Sequence, residues 1–404
     1  MGFSQALSGL NAAASSLDVQ GNNIANSQTV GFKSSSVQFA DVYANSKVGL
    51  GTRVSNVLQD FSEGNLEATS RNLDLGISGQ GFFRFEQAGQ VVYSRNGQLT
   101  MTSDGYLQNA QGARLMGFGV NAAGGVQGGG QPEVLRVASD EMPASATTQV
   151  SATLNLDSRE VAGEGLDSVE LEDGAGNLAQ VSYHYANNFT LYDSLGNPHN
   201  TSVYYQKTAN NSWDATVAID GVLASAGPTP LTFDANGQLT TPAALQVTDF
   251  DPDTGAAPLN VDMDISSFSQ FGNNSTASEL TQNGYTSGTL VGIAIENDGT
   301  VVRNYSNEQS RAAGQIVMAN FRNPEGLNPE GDNVWAATAA SGQELVGPPG
   351  TGLLGTIESG AIETSNVDMA RELVNMIVTQ RAYQANSQTI KTQDEVLQTA
   401  INLR

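Results

Sequence analysis

At 404 residues the chain is longer than one simple core organises, so two to four domains are expected. Its formal net charge of −24 argues against a nucleic-acid partner and against an anionic membrane surface, because both would repel it. The absence of cysteine removes disulfides and thiolate metal sites, and 44 glycines with only 14% charged residues suit a turn-rich β protein better than a helical bundle.

The first predicted element is a helix over 1–26. Phe3, Leu7, Leu10, Ala14, Leu17, Gly21 and Ile24 step by four and three, a heptad seam of three repeats. Asp18 is the only charge before Lys33, so the segment has no basic n-region of a secretory signal. Asn22, Asn23 and Asn26 crowd the end of the helix, and Gly31-Phe32-Lys33 follow. So few apolar side chains do not offset the entropy of ordering the helix, which therefore needs a partner. Residues 27–71 read as a linker, resumed at 358–365.

From about residue 72 the period changes to two. "FFRFEQAGQVVYSRNGQLTMTSDGYLQ", 82–108, alternates apolar and polar residues and contains Asn96-Gly97 and Asp104-Gly105, which mark tight hairpins. "FDANGQLTT" at 233–241 and "IENDGTVVRNY" at 295–305 carry the same signal, and 181–219 reads as successive strands of a second β module. Candidate joints are the glycine-rich 124–130, the Pro/Ser/Thr stretch 143–148, and 271–285; Pro348-Pro349-Gly350 lies in a further loop. These joints predict nesting. An inner β domain of 72–145 and 286–357 is interrupted by an inserted outer β domain, 146–285.

The last element is a helix in the terminal segment 366–404. Met369, Met376, Tyr383, Ile390 and Leu397 lie seven apart, with Leu373 and Ile401 in the companion position. The other companions, Gln380, Ser387 and Asp394, are polar, and Ser365-Asn366-Val367-Asp368 fits a capping box. The fold class predicted is mixed and mainly β. Nested discontinuous β domains are bracketed by N- and C-terminal helices that pair in a coiled-coil-like manner, with further copies of the pair to cover what remains bare. No apolar run is long enough to span a bilayer.

A search for chemistry returns little. His184 and His199 are expected on surface strands or turns, and two histidines without cysteine make a poor zinc site unless carboxylates complete it. "DFDPDTG" at 249–255 opens like a calcium loop through Asp249, Asp251 and Asp253. It has Thr254 where the loop needs glycine and Asn260 where it needs an acid, so an acidic turn is expected. Gly79-Gln80-Gly81 precedes a strand and so makes a poor phosphate cradle. The chain shows no G-x-S-x-G, P-loop or H-E-x-x-H pattern, so no enzyme, metal or cofactor is expected.

"LDVQGNNIANSQTVGFK", 17–33, resembles the N-terminal signature of the axial rod and hook proteins of the bacterial flagellum. "SNVDMARELVNMIVTQRAYQANSQTIKTQDEVLQTAINLR", 365–404, is similar to their C-terminal signature. "DFSEGNLEATSRNLDLGISGQGFF", 60–83, resembles a further family stretch, with Gly76 where alanine is usual, and 314–342 resembles the returning half of the first β domain. Together these cover about half of the chain; 146–285 carries no matching motif. Within the family the length is most similar to that of the hook proteins.

That resemblance implies a self-assembling tube that joins rod to filament as a flexible universal joint. It also implies type III export without a cleaved signal and growth beneath a hook cap, with rod and hook-associated proteins as neighbours. The terminal helices would form the inner tube, the first β domain the middle wall, and the insert an outer layer. Subunit-interface residues would be Phe3, Leu7, Leu10, Ala14, Leu17, Asn22, Asn23, Ile24, Asn26, Gly31, Phe32 and Lys33 at one end. At the other end they would be Met369, Leu373, Met376, Tyr383, Ile390, Leu397 and Ile401. The asparagines would fix register, Gly31 would permit a turn and Phe32 would anchor it; the plainer alternative makes them helix-stop residues. Two other functions remain open: a rod or junction adaptor, and an exported acidic enzyme or calcium-binding protein resting on His184, His199 and 249–255.

Overall fold

A computed structural model describes residues 3–43, 49–121, 124–225 and 227–402. The chain is mainly β with a helix near each end, α1 (Phe3–Ala25) and α2 (Met369–Asn402). It divides into two compact units. The first comprises Met1–Ser139, Val291–Asn304 and Ser310–Arg404; the second comprises Asp140–Leu290 and Tyr305–Gln309.

In the first unit α1 leads through Gly31 into a two-stranded hairpin, β1 (Ser35–Val42) and β2 (Gly51–Gln59). The larger sheet beyond it runs, strand by strand, from Leu290–Ile295 through Thr300–Tyr305, Ser310–Ile316, Arg114–Phe118, Phe82–Gln87, Gln90–Ser94 and Val334–Ala336 to Asn328–Gly331. The run Phe82-Phe83-Arg84-Phe85 explains why this sheet needs two cores. Alternation sends Phe83 and Phe85 into one apolar cluster with Leu75, Ile77, Leu115 and Ile316. It sends Phe82 to the opposite side, among Tyr93, Phe321 and Trp335. Arg84 shares the face of Phe82 and is satisfied there by a bidentate pair to Glu344 at 2.9 and 3.0 Å. The Tyr93 hydroxyl donates to the same carboxylate at 2.6 Å.

The second unit holds a five-stranded and an eight-stranded sheet, and one cluster drawn from both forms its core. Trp213 is fully buried in it, and its indole Nε1–H donates to Gln270 Oε1 at 2.7 Å. The strand Gln149–Asp157 pairs in parallel with Leu259–Asp264 and then with Ser269–Phe271, while Thr276–Gln282 flanks it antiparallel.

The hairpins expected at Asp104-Gly105 and within 233–241 form, as three-residue loops. At Thr102–Tyr106 and Asp234–Gln238 the residue before glycine keeps negative φ, and only Gly105 and Gly237 are left-handed, at 83° and 79°. Each is a three-residue loop closed by a left-handed glycine: the first residue donates its N–H to the fifth carbonyl, and its own carbonyl accepts the glycine N–H. The first side chain accepts the fifth N–H as well, from Thr102 Oγ1 to Tyr106 and from Asp234 Oδ1 to Gln238. The same design recurs at 109–113 and 193–197. Asn96-Gly97 is no turn. Gly97 lies in a short strand against Asp74–Ser78, where an added Cβ would overlap the carbonyl oxygen of Leu75.

Asp193 shows what this loop contributes. It is fully buried, and Oδ1 accepts the N–H groups of Leu195 and Asn197 at 2.9 and 2.8 Å. Oδ2 accepts Asn197 Nδ2 and Thr254 Oγ1 at 2.8 and 2.9 Å, and His199 Nε2 lies 3.3 Å away. Burial opposes its ionisation, but these donors outweigh burial and hold the carboxyl well below the usual carboxylate range. With the folded value depressed, the stabilisation is present above the unfolded value of about 3.9 and is lost only as pH falls through the folded one. Asp193→Ala should therefore cost about 2–4 kcal/mol at neutral pH. Asp193→Asn, which keeps Oδ1, should cost less; equal melting of both variants and the parent chain would contradict this account.

Candidate assembly surface

α1 and α2 lie side by side and run antiparallel: Gly9 faces Asn386, and Gln20 Nε2 donates to Thr379 Oγ1 at 3.1 Å. A Cβ at Gly9 would sit 2.9 Å from Asn386 Nδ2, so glycine admits the close approach. The face that α1 buries is made of small residues, Ala6, Ala12 and Ala13, together with Asn23. Gln5 Nε2 donates to Gly49 O at 2.8 Å, and Ser8 Oγ accepts from Thr52 N at 3.2 Å, which seats the helix on the hairpin. The predicted seam is not this face. Phe3 and Leu7 are 52% and 42% exposed, while Leu10, Ala14, Leu17 and Ile24 are half-buried.

On α2 the half-buried residues include Met376 and Ile390, each with partners three residues on, at Thr379 and Gln393. The companion row is thus one residue earlier than the Gln380, Ser387 and Asp394 row expected from the sequence. The cap also moves. Asp368, not Ser365, receives the helix N-terminus, with its Oδ1 accepting Arg371 N–H at 3.1 Å. Away from α1 the helix presents Met369, Leu373, Val374, Ile377 and Val378, all between 42% and 62% exposed. Tyr383 is 36% exposed, and Leu397 and Ile401 are 57% and 72% exposed near the end.

Between the helices and the β structure lies a buried polar junction. Glu363 is fully buried, and Lys33 Nζ contacts its Oε1 at 2.6 Å and also donates to Ser62 O at 2.6 Å. Gly64 N–H donates to the same oxygen at 2.8 Å, and Arg95 Nε lies 2.8 Å from Oε2, off line for a hydrogen bond but in ion-pair contact. Burial pushes the Lys33 ammonium below its ordinary value, with Glu363 pulling it up and Arg95 pushing it down again. Gly31, at φ 70°, donates its N–H to Glu363 O at 2.7 Å; a Cβ there would meet the backbone of Arg95 and Asn96 within 2.8 Å.

Asparagines complete the junction. Asn23 acts as a piece of strand, with Nδ2 donating to Ser35 O at 2.8 Å and Oδ1 accepting Ser35 N–H at 3.0 Å. Asn366 does the same for the other chain end, accepting from Ser34 N at 2.8 Å and donating to Asp60 O at 2.8 Å. Asn23 and Lys33, expected at a subunit interface, are thus consumed inside the chain, as is the turn at Gly31. Asn22 is exposed, Asn26 bonds back to it at 2.7 Å, and Phe32 is half-buried.

The same segments match known families. Residues 4–33 match the family model "Flagella basal body rod protein", and 358–403 match "Flagellar basal body rod FlgEFG protein C-terminal". Residues 76–152 match "Flagellar hook protein FlgE/F/G D1 domain", and 155–285 match "Flagellar basal body protein FlaE D2 domain". The chain is 46% identical to the flagellar hook protein FlgE of Escherichia coli K12, over 100% of both chains. The chain belongs to the flagellar hook protein family. It is 33% identical to the hook protein of Rhizobium meliloti, over 98% of this chain and 97% of the relative. It also shares its fold with the crystal structure of Helicobacter pylori flagellar hook protein FlgE2, at a TM-score of 0.54 and 14% identity, covering 74% of this chain and 100% of that one.

As a hook-family chain it is a structural component of the flagellum. No helix among the described residues is long and apolar enough to cross a membrane. The groups singled out for chemistry serve the fold. His199 is buried rather than on a surface strand or turn; its Nδ1 is 2.6 Å from Asp220 Oδ2. His184 is half-buried; Nδ1 accepts Lys207 N–H at 3.0 Å, so Nε2 carries the proton toward Val161 O and Glu164 O. In 249–255 the Asp251 carboxylate accepts Asp253 N–H, and Thr254 is spent on Asp193. Among the described residues no group of three or more His, Asp or Glu is placed to hold a metal.

The sequence reading missed Glu363, Arg95 and Asn366 at the junction, and Val374, Ile377 and Val378 on the stripe. The stripe was detectable, because its apolar residues widen each heptad position to a pair at 373–374 and 377–378.

Proposed function

We propose that this chain polymerises through its terminal helices into the hook tube, and that the tube bends while carrying torque from rod to filament. The apolar stripe on α2, uncovered in the single chain, is the observation that carries this reading. A helix of 34 residues with that much exposed apolar surface is stabilised when neighbouring copies cover it. The interface would comprise Phe3, Leu7, Leu10, Ala14, Leu17 and Ile24 of α1, and Met369, Leu373, Met376, Tyr383, Ile390, Leu397 and Ile401 of α2. Asn22, Asn26 and Phe32 would border it.

In this reading 1–26 and 366–404 form the inner, polymerising layer, with 27–71 and 358–365 as the connection. Residues 72–145 and 286–357 form the wall, and 146–285 an outer domain. Neighbours would be rod proteins, hook-associated proteins and a hook cap, reached by type III export through the flagellar channel. The role is mechanical and requires no cofactor or catalysis. Outer domains held by polar, wet contacts slide with little penalty, whereas packed helices do not.

Electron microscopy of flagellar bases tests this. The full chain should give short curved tubes containing many copies, and a chain lacking 146–285 should give thinner, straight ones. A small fixed number of copies per base would instead support an adaptor, and no tube at all from the full chain overturns the proposal.

A further inference from the structure

We infer that β1 of one copy docks into an apolar groove on the first unit of a second copy; this rests on the polymerisation proposed above. The groove has a volume of about 720 Å³, and Phe61, Phe82, Phe321, Arg322, Leu345 and Leu353 line it. A hollow of this size buries a few large side chains. Its apolar rim is open to water, with Leu345 and Leu353 being 54% and 72% exposed. Arg322 is exposed and, among the described residues, has no ion pair or side-chain hydrogen bond. Among the described residues the bordering strand Leu345–Gly347 pairs only with Met318–Asn320, which leaves its other edge free.

The complement of this groove is an extended segment with apolar side chains around one acid. β1 provides it. Phe39 and Asp41 are exposed and Ala40 and Val42 half-buried, and Tyr43 continues the same phase beyond the strand. Phe39 and Tyr43 are 48% and 64% exposed, about 13 Å apart along the strand, with the carboxylate between them. Among the described residues β1 pairs only with β2, so it too has a free edge. In its own chain β1 is held by both β2 and α1, with Asn23 bonding Ser35 at its start, so the occupant is a second copy. Docking would place an aromatic ring against the half-buried Phe61 and the exposed Leu345 and Leu353, over the buried rings of Phe82 and Phe321. Asp41 would meet Arg322 beside apolar surface, and the two free edges allow main-chain pairing.

The chain has no cysteine, so a disulfide reads the contact cleanly. Phe39→Cys and Leu345→Cys chains are mixed, assembled into tubes and oxidised; a Phe39→Cys and Leu178→Cys mixture gives the background. A 39–345 linked dimer is expected in tubes and not in dissociated monomers. Asp41→Arg or Arg322→Asp alone should raise the concentration needed for assembly by about 2–5-fold, and their combination should restore it. Tubes without a 39–345 link above background overturn the docking and leave polymerisation standing. Capture of a different protein at the Leu345→Cys position also overturns it. Failure of the unsubstituted chain to form tubes overturns both.

Discussion

Leu373→Asp should abolish tube formation while leaving the fold of the single chain unchanged. The side chain is 45% exposed at the centre of the α2 stripe, so the substitution removes no intrachain core contact of consequence. In a polymer the same position would be covered. Losing a buried leucine there forfeits about 1.5–3 kcal/mol, and an unpaired carboxylate adds a desolvation penalty of similar size. Together these raise the concentration needed for assembly by more than about a hundredfold. Circular dichroism and melting of the variant should match the parent, and electron microscopy should find no tubes. Normal tubes would show that this face of α2 stays in water after assembly.

Glu363→Ala should be the most destabilising single change in the first unit. It strips the shared carboxylate from Lys33 and Arg95, whose side chains are 0% and 3% exposed, and leaves two cations buried together. Breaking a buried ion pair costs about 3–5 kcal/mol, and repulsion between the stranded cations adds to that. Lys33→Met should cost less, because Glu363 keeps Arg95 and the Gly64 N–H. Denaturant unfolding measures both; a loss under about 1 kcal/mol for Glu363→Ala would mean that water reaches the junction.

The terminal helices and the strand-rich middle were legible because periodicity survives in a single sequence. Phe83, Phe85 and Leu115 alternate as strands must, and Leu7, Leu10 and Leu17 recur as a helix requires. Which face each helix buries was not legible. Ala6, Ala12 and Ala13 are selected by proximity to the hairpin and α2, and small residues carry little hydrophobic signal. Glu363 looks like any solvent-facing acid in "AIETSN". Its partners are 330 and 268 positions away, so only the folded chain reveals the pairing. Gly97 misled for a related reason: Asn-Gly suits a turn, but this glycine is there because Leu75 leaves no room for a side chain.

The span between Lys33 and Glu363 also sets an order of events. Closing a loop of that length is among the slowest kinds of contact a chain makes, because nearly all of it must first be synthesised. Until residue 363 has left the ribosome, Lys33 has no counter-charge to bury with, and Asn366 is absent to hold Ser34. The junction at Lys33 therefore closes late, whereas the contacts of α1 with its own hairpin are available early. A newly made chain thus carries an arm that docks locally first and is tied to the distant strand Ala361–Glu363 only when that strand has been made.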